Sequence, residues 1–240
     1  MSKIIAGNFK MNKTLAECEN YADAIREVRV PKAREVILFP PSFATHYFAV
    51  NISNPKIRIG VQNCSNEEQG AFTGEIAASQ IKELGATYVL LGHSERRNKL
   101  GESNYLINQK ILVAEKNKLK VVLCVGEKLE EIKKRKTVLS SQLKQCLAGV
   151  NMNNIIIAYE PVWAIGTGKT CDTKTIQEVH KYIKKTVKDL TNKTVQVLYG
   201  GSVKDSNAEE ILGLDQVDGV LVGGACLNAS TFEKIIKAGA

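Results

Sequence analysis

Eight short β-branched runs, each separated from the next by roughly 20 to 40 residues, constrain this chain more than any other feature. They fall at 3–8, 35–39, 56–62, 88–93, 120–125, 155–159, 194–199 and 219–222. Between most of them the apolar residues change to helical period. Leu15, Cys18, Ala22, Ile25 and Val28 mark one such face, Leu139, Leu143 and Leu147 a second, and Ile176, Val179, Ile183, Val187 and Leu190 a third. Alternation of this kind implies a parallel sheet with helices outside it. A closed (β/α)8 barrel typically needs about 250 residues, close to the 240 here. A doubly wound open sheet satisfies the same alternation. No linker, low-complexity tract or change of composition divides the chain, so one domain over 1–240 is expected.

At 44% hydrophobic and 24% charged residues, the composition is that of an ordinary globular protein. No stretch approaches the roughly 20 apolar residues of a membrane-spanning helix. The N-terminus runs into a strand too early for a signal peptide. Six cysteines (Cys18, Cys64, Cys124, Cys146, Cys171 and Cys226) lack any C-x-x-C spacing and read as reduced core thiols of a cytoplasmic protein. The net charge of +8 is spread over helices. Its densest cluster, Lys133-Lys134-Arg135-Lys136, lies beside Glu130 and Glu131 with no aromatics interleaved, so nucleic-acid binding is not expected.

In a barrel, functional residues gather where the strands end, because those ends and the following loops share one face. The polar residues found there are Asn8, Lys10, Gln62, Asn63, His93, Glu95, Glu127, Glu160 and Ser202. With them come the pairs Gly200-Gly201 and Gly223-Gly224.

The run from Ala158 to Lys169 places Glu160 at the end of strand six. Pro161 stiffens the departing chain, Trp163 offers an apolar latch, and Gly166 and Gly168 permit a tight path with free N–H groups. This composition suits a lid. Within Gly92-His93-Ser94-Glu95-Arg96-Arg97, Ser94 is expected to cap a helix with Glu95 in its first turn. A helix N-terminus beside His93 disfavours imidazolium and leaves a neutral ring able to donate a hydrogen bond. Of the other two histidines, His180 lies within a helical pattern and His46 in a segment without a motif. Lys10, two residues past an inward-facing strand end, is placed to neutralise an anion. The glycine pairs after strands seven and eight mark the usual phosphate seat of this architecture, glycine removing side chains that block the approach. Neither a Walker A pattern nor a G-x-G-x-x-G opens a helix, and no His/Cys/Asp cluster has metal-ligand spacing. The chemistry is expected to need neither metal nor cofactor.

Asn8-Phe9-Lys10-Met11-Asn12, residues 92–97, 158–169 and 199–202, and Gly223-Gly224 together resemble the triosephosphate isomerase family, in order and over essentially the whole chain. The resemblance implies a single (β/α)8 TIM barrel and interconversion of dihydroxyacetone phosphate with D-glyceraldehyde 3-phosphate through an enediolate. It also implies a place in glycolysis and gluconeogenesis. This family is itself a standard example of a glutamate base working with a neutral histidine, so those roles come from the resemblance and not from the residues' spacing. On it, Glu160 is the base, His93 the neutral electrophile, Lys10 the cation serving the substrate's charge and Asn8 a donor to its oxygens. Gly166, Ser202, Gly223 and Gly224 surround the phosphate. Glu95 positions Lys10, Cys124 and Glu127 lie behind the base, Glu127 pairs with Trp163, and Tyr199 holds the closed lid. The segment Gly70-Ala71-Phe72-Thr73-Gly74-Glu75 resembles the family's third loop and implies a homodimer through Thr73.

Two positions and one region depart from the family's pattern. Cys171 stands where a small Ala is common, Cys226 replaces a common Ser, and the region 13–34 is short. Two other functions fit parts of the pattern. Another phosphosugar isomerase or epimerase would share the phosphate seat but would want a metal, a second acid or a Schiff-base Lys. A catalytically retired barrel serving as a binding protein would show loss of Glu160, His93 or Lys10, and all three are present.

Overall fold

A computed structural model describes residues 2–165 and 171–240. Its strands are β1 Lys3–Asn8, β2 Arg34–Phe39, β3 Ile57–Val61, β4 Tyr88–Leu91, β5 Lys120–Val125, β6 Ile155–Tyr159, β7 Gln196–Tyr199 and β8 Gly219–Val222. They are all parallel, and β1 pairs with β8 as well as β2, which closes a barrel in sequence order. The open-sheet alternative is thereby removed. Outside lie helices α1 Leu15–Arg26, α2 Thr45–Asn51, α3 Ala78–Glu83, α4 Ser94–Lys99, α5 Asn104–Lys116, α6 Arg135–Cys146, α7 Thr173–Thr191, α8 Ala208–Gly213 and α9 Ala229–Lys237.

Strand residues alternate between two cores because side chains point to opposite faces with period two. Ile4, Ala6, Ile37, Phe39, Tyr88, Leu90, Val122, Cys124, Ile156, Ala158, Leu198 and Leu221 fill the barrel interior. Their neighbours, such as Ile5, Val36, Leu38, Val89, Leu91, Val121 and Leu123, pack outward against the helices. The predicted faces of α1, α6 and α7 supply that outer layer through Cys18, Ala22, Ile25, Leu139, Leu143, Ile176, Val179, Ile183 and Val187. Leu190, assigned to the same face of α7, is instead exposed. It lies one residue before the end of the helix, past the part the barrel covers.

Helix starts are capped by side chains that accept from the otherwise unpaired amides. Thr14 and Glu17 form a reciprocal box at α1, Ser103 caps α5, Asp172 caps α7 and Asn228 caps α9. All six cysteines are free and buried, Cys171 and Cys226 included. Burial pushes the Cys171 thiol up to about 12 and raises that of Cys226 further, which favours the neutral thiol at both. No helix among the described residues is long and apolar enough to cross a membrane.

Candidate active site

The C-terminal ends of the strands surround a cavity of about 380 Å³. Asn8, Lys10, His93, Glu160, Ser202, Gly223 and Gly224 all line it. The sequence thus brings together seven of its candidate site residues on one face. Gly166 lies outside the described residues, and so does the tip of the expected lid at 166–170.

Lys10 sits at φ 53°, in the left-handed region that costs a non-glycine residue about 1–2 kcal/mol. Its neighbours hold it there. Its N–H donates to Asn8 Oδ1 at 2.9 Å, and Gln62 Nε2 donates to its carbonyl at 2.9 Å and to that of Phe39 at 3.0 Å. The ammonium then reaches Glu95 Oε1 at 2.7 Å. Burial raises the Glu95 pKa, but the hydrogen bond from Lys10, together with the His93, Lys10 and Lys99 charges, outweighs it and holds the carboxyl below its usual range. Gln62 is therefore a brace for the Lys10 backbone.

β4 ends at Leu91, two residues before His93. Gly92 takes φ 70° and turns the chain, so His93, not Ser94, occupies the cap position of α4. Its Nδ1 accepts from the Glu95 N–H at 3.2 Å, while Nε2 lies 2.9 Å from Glu160 Oε1. The other oxygen of Glu160 accepts from the Ser94 N–H at 2.9 Å. Burial is the strongest single influence and disfavours charge on this imidazole, but the Glu160 charge and hydrogen bond, with Glu95, together outweigh it and draw the His93 pKa above its ordinary value. The Glu95 amide acts against that pull. An Nδ1 that accepts there keeps its lone pair, so this contact fits the neutral tautomer with its proton on Nε2, facing Glu160.

Glu160 is 2% exposed, and two glycines make room for it. A Cβ at Gly126 would fall 1.7 Å from the Glu160 carbonyl oxygen, and one at Gly200 would fall 3.0 Å from its Cγ. Gly201 is required by Tyr199, whose hydroxyl would lie 2.2 Å from an added Cβ. The first glycine pair thus answers to protein neighbours, a different reason from the open phosphate approach expected of it. Gly223 and Gly224 do face open space: among the described residues, nothing but the end of Lys10 comes within 4 Å of an added Cβ at either.

Behind Glu160 lie Cys124, fully buried, and Glu127. Burial, reinforced by the Glu160 carboxylate, holds the Cys124 thiol neutral. Glu127 Oε1 accepts from Arg135 Nε at 2.8 Å, Trp163 Nε1 at 3.0 Å and the Tyr159 hydroxyl at 3.1 Å. Trp163 lies in a 3-10 turn, Val162–Ala164, which follows Pro161 at φ −66°. Tyr199 is buried with its hydroxyl toward the Cys171 backbone N–H, just past 166–170. Thr73 does not line this cavity and lies in an exposed run at 68–75.

Four contributors carried no sequence signal as site residues. Lys204 adds a second cation beside Ser202, and the Ser94 N–H holds the Glu160 carboxylate. Arg135 was read only as part of a basic cluster, and Gly126 as part of a motif. Among the described residues no group of three or more His, Cys, Asp or Glu is placed to hold a metal ion.

A closed parallel barrel with a buried carboxylate and an imidazole facing a small cavity at the strand C-termini has the layout of an enzyme site. Comparison with known proteins specifies the class. A family model described as Triosephosphate isomerase matches residues 3–239. Proteins named triosephosphate isomerase are similar throughout. That of Prosthecochloris aestuarii is 45% identical over 98% of this chain and 97% of its own, and that of Alkaliphilus metalliredigens 44% over 98% of each. That of Aquifex aeolicus is 41% identical over 98% of this chain and 99% of its own. The chain belongs to the triosephosphate isomerase family and is an isomerase.

Proposed function

We propose that this enzyme interconverts dihydroxyacetone phosphate and D-glyceraldehyde 3-phosphate through an enediolate, with Glu160 as base and His93 as electrophile. The observation that carries the reading is the contact of Glu160 Oε1 with His93 Nε2 at the floor of the cavity. A substrate carbonyl placed between the two displaces that contact and receives the Nε2 proton as a hydrogen bond. The freed carboxylate oxygen then faces the adjacent carbon and removes its proton. Lys10 and the Asn8 amide serve the negative charge that develops on oxygen, and such preorganised donors are worth roughly 3–4 kcal/mol each in comparable sites. His93 passes a proton between the two oxygens, and Glu160 returns its own proton to the neighbouring carbon. The proton count closes without net gain or loss.

Ser202, Gly223 and Gly224, with Lys10 and Lys204 nearby, seat the phosphate at the other end of the cavity. Binding that remote dianion supplies free energy for orienting the reacting carbons. Trp163, held by Glu127, anchors the start of a lid over residues 160–170 that closes on the phosphate, with Gly166 supplying an amide there and Tyr199 meeting its far end. Closure keeps water from the enediolate.

We further propose a homodimer. A groove of about 540 Å³ runs beside Lys10, Glu95 and His93, rimmed by exposed Met11 and Leu100. The protruding loop around Thr73 of a second copy is suited to fill it, also covering the half-exposed Phe72.

Turnover of D-glyceraldehyde 3-phosphate by the purified protein tests the reaction, with sedimentation for the dimer. Fast isomerisation is expected. A folded dimer without isomerase activity would point to the retired-barrel alternative.

A further inference from the structure

The support of Glu160 is uneven. On one side its backbone is tied to β5, the Glu160 N–H donating to Val125 O at 2.8 Å. On another a cavity of about 140 Å³ lies directly behind it, lined by Gly92, Ser94, Arg97, Gly126, Gln142 and Val162. On that side the cavity leaves the carboxylate without packed support, although the Cys124 thiol and His93 Nε2 touch it elsewhere. Backbone adds the rest: the Gly126 peptide lies against the Glu160 carbonyl, closely enough to exclude any Cβ, and the Ser94 amide holds one carboxylate oxygen.

Gly126 belongs to the loop that leaves β5, and glycine is the residue least able to hold its own conformation. One side chain holds it. Gln142, on α6, accepts from the Gly126 N–H at 2.8 Å and donates to the Gly126 carbonyl at 2.9 Å. A single amide thus satisfies both polar groups of one residue, in the manner of a strand neighbour. The next residue, Glu127, accepts from Trp163 and returns its carbonyl to the Val162 N–H at 3.1 Å. Gln142 therefore stands behind both chain segments that flank the base. Arg97 performs a related task one strand away, donating to Gly92 O at 2.6 Å and Cys124 O at 3.1 Å.

We infer that Gln142 is a positioning residue for the isomerisation, holding the Gly126 peptide and through it the carboxylate of Glu160 at the reacting carbon. The inference rests on Glu160 being the base. Its physical content is that proton transfer is steeply sensitive to distance, so a shift of about 1 Å from a remote change costs on the order of 100-fold.

The test replaces Gln142 by Met, which keeps the side chain's length and removes both hydrogen bonds. Gln145→Met on the exposed side of the same helix is the control for any loss of helix stability. Steady-state rates are measured with D-glyceraldehyde 3-phosphate carrying hydrogen or deuterium at C2. For Gln142→Met, kcat is expected to fall about 10- to 100-fold with KM changed by less than about twofold, and the primary isotope effect on kcat to rise. The isotope effect is a ratio, so it is independent of how much of the variant folds. Gln145→Met is expected to leave both unchanged. Wild-type kcat in Gln142→Met overturns the inference. So does a lower kcat with an unchanged isotope effect, because Gln142 then only satisfies two buried backbone groups. Glu160→Gln is run in parallel: activity surviving there removes the base assignment itself, whatever Gln142 does.

Discussion

Two buried histidines behave oppositely in this molecule. His93 and His180 are 5% and 0% exposed, yet the first is drawn above its ordinary pKa and the second is held down at about 3. Burial acts on both. At His180, on α7 between Tyr159 and Tyr199, burial prevails: backbone hydrogen bonds at Gln216 and Val197 oppose it only in part, with Nδ1 3.3 Å from Gln216 O, while Lys184 and Lys3 reinforce it, and among the described residues no carboxylate bonds to the ring. At His93 the Glu160 carboxylate faces Nε2. A buried imidazole is thus a structural group or a chemical one according to whether a carboxylate comes with it.

The largest effect that breaks this contrast comes from Glu160→Gln. Turnover is expected to fall by about 10³- to 10⁴-fold, the upper range for loss of a general base. With its carboxylate partner removed, His93 is also expected to titrate lower than in the wild type, toward the behaviour of His180, as nitrogen NMR of the imidazoles reads directly. An unmoved His93 titration means that Glu160 is not the source of its shift. Lys10→Met sharpens the contrast from the other side. Lys10 lowers the His93 pKa, so its loss raises that pKa further, while catalysis is expected to drop about 10²- to 10³-fold, as for other preorganised donors.

Stability against pH separates the two histidines by sign. The unfolded chain protonates His180 near pH 6.5, whereas the folded chain refuses the proton down to about pH 3. Its contribution is therefore complete above pH 6.5 and is lost as the pH falls. Between pH 7 and 5 the wild type should lose about 2 kcal/mol more than His180→Gln in denaturant titrations. Parallel curves for the two proteins would refute the low pKa. His93, with a raised folded pKa, contributes in the opposite direction: its stabilisation is present below its unfolded pKa and is lost as the pH rises through the folded value. The smallest effect is that of Trp163→Phe. Removing one of three donors on Glu127 Oε1 should cost about 1 kcal/mol in thermal or denaturant unfolding, and a larger loss would show that Trp163 does more than latch the chain.

The barrel was legible because β-branched runs and helical faces are periodic, and each run became a strand within two or three residues of its expected bounds. His93 and Glu160 were legible because strand ends share a face. Gly92 shifted the cap of α4 from Ser94 to His93 through its φ of 70°, a property that any turn glycine could carry and that the string of residues does not display. Gly126, Gly200 and Gln142 were illegible for a related reason. Their roles are close approaches and side-chain-to-backbone bonds across sixteen or more positions, as in Gln142 to Gly126, and no spacing rule encodes these.

The central claim is that Glu160 removes a carbon-bound proton while His93 serves the oxygens. Deuterium incorporation into dihydroxyacetone phosphate at C1, followed in D2O by proton NMR for wild type and Glu160→Gln, tests it most directly. The wild type is expected to incorporate deuterium during turnover, and the folded variant to do so about 10³-fold or more slowly. Incorporation by Glu160→Gln within tenfold of the wild-type rate would show that another group takes the proton.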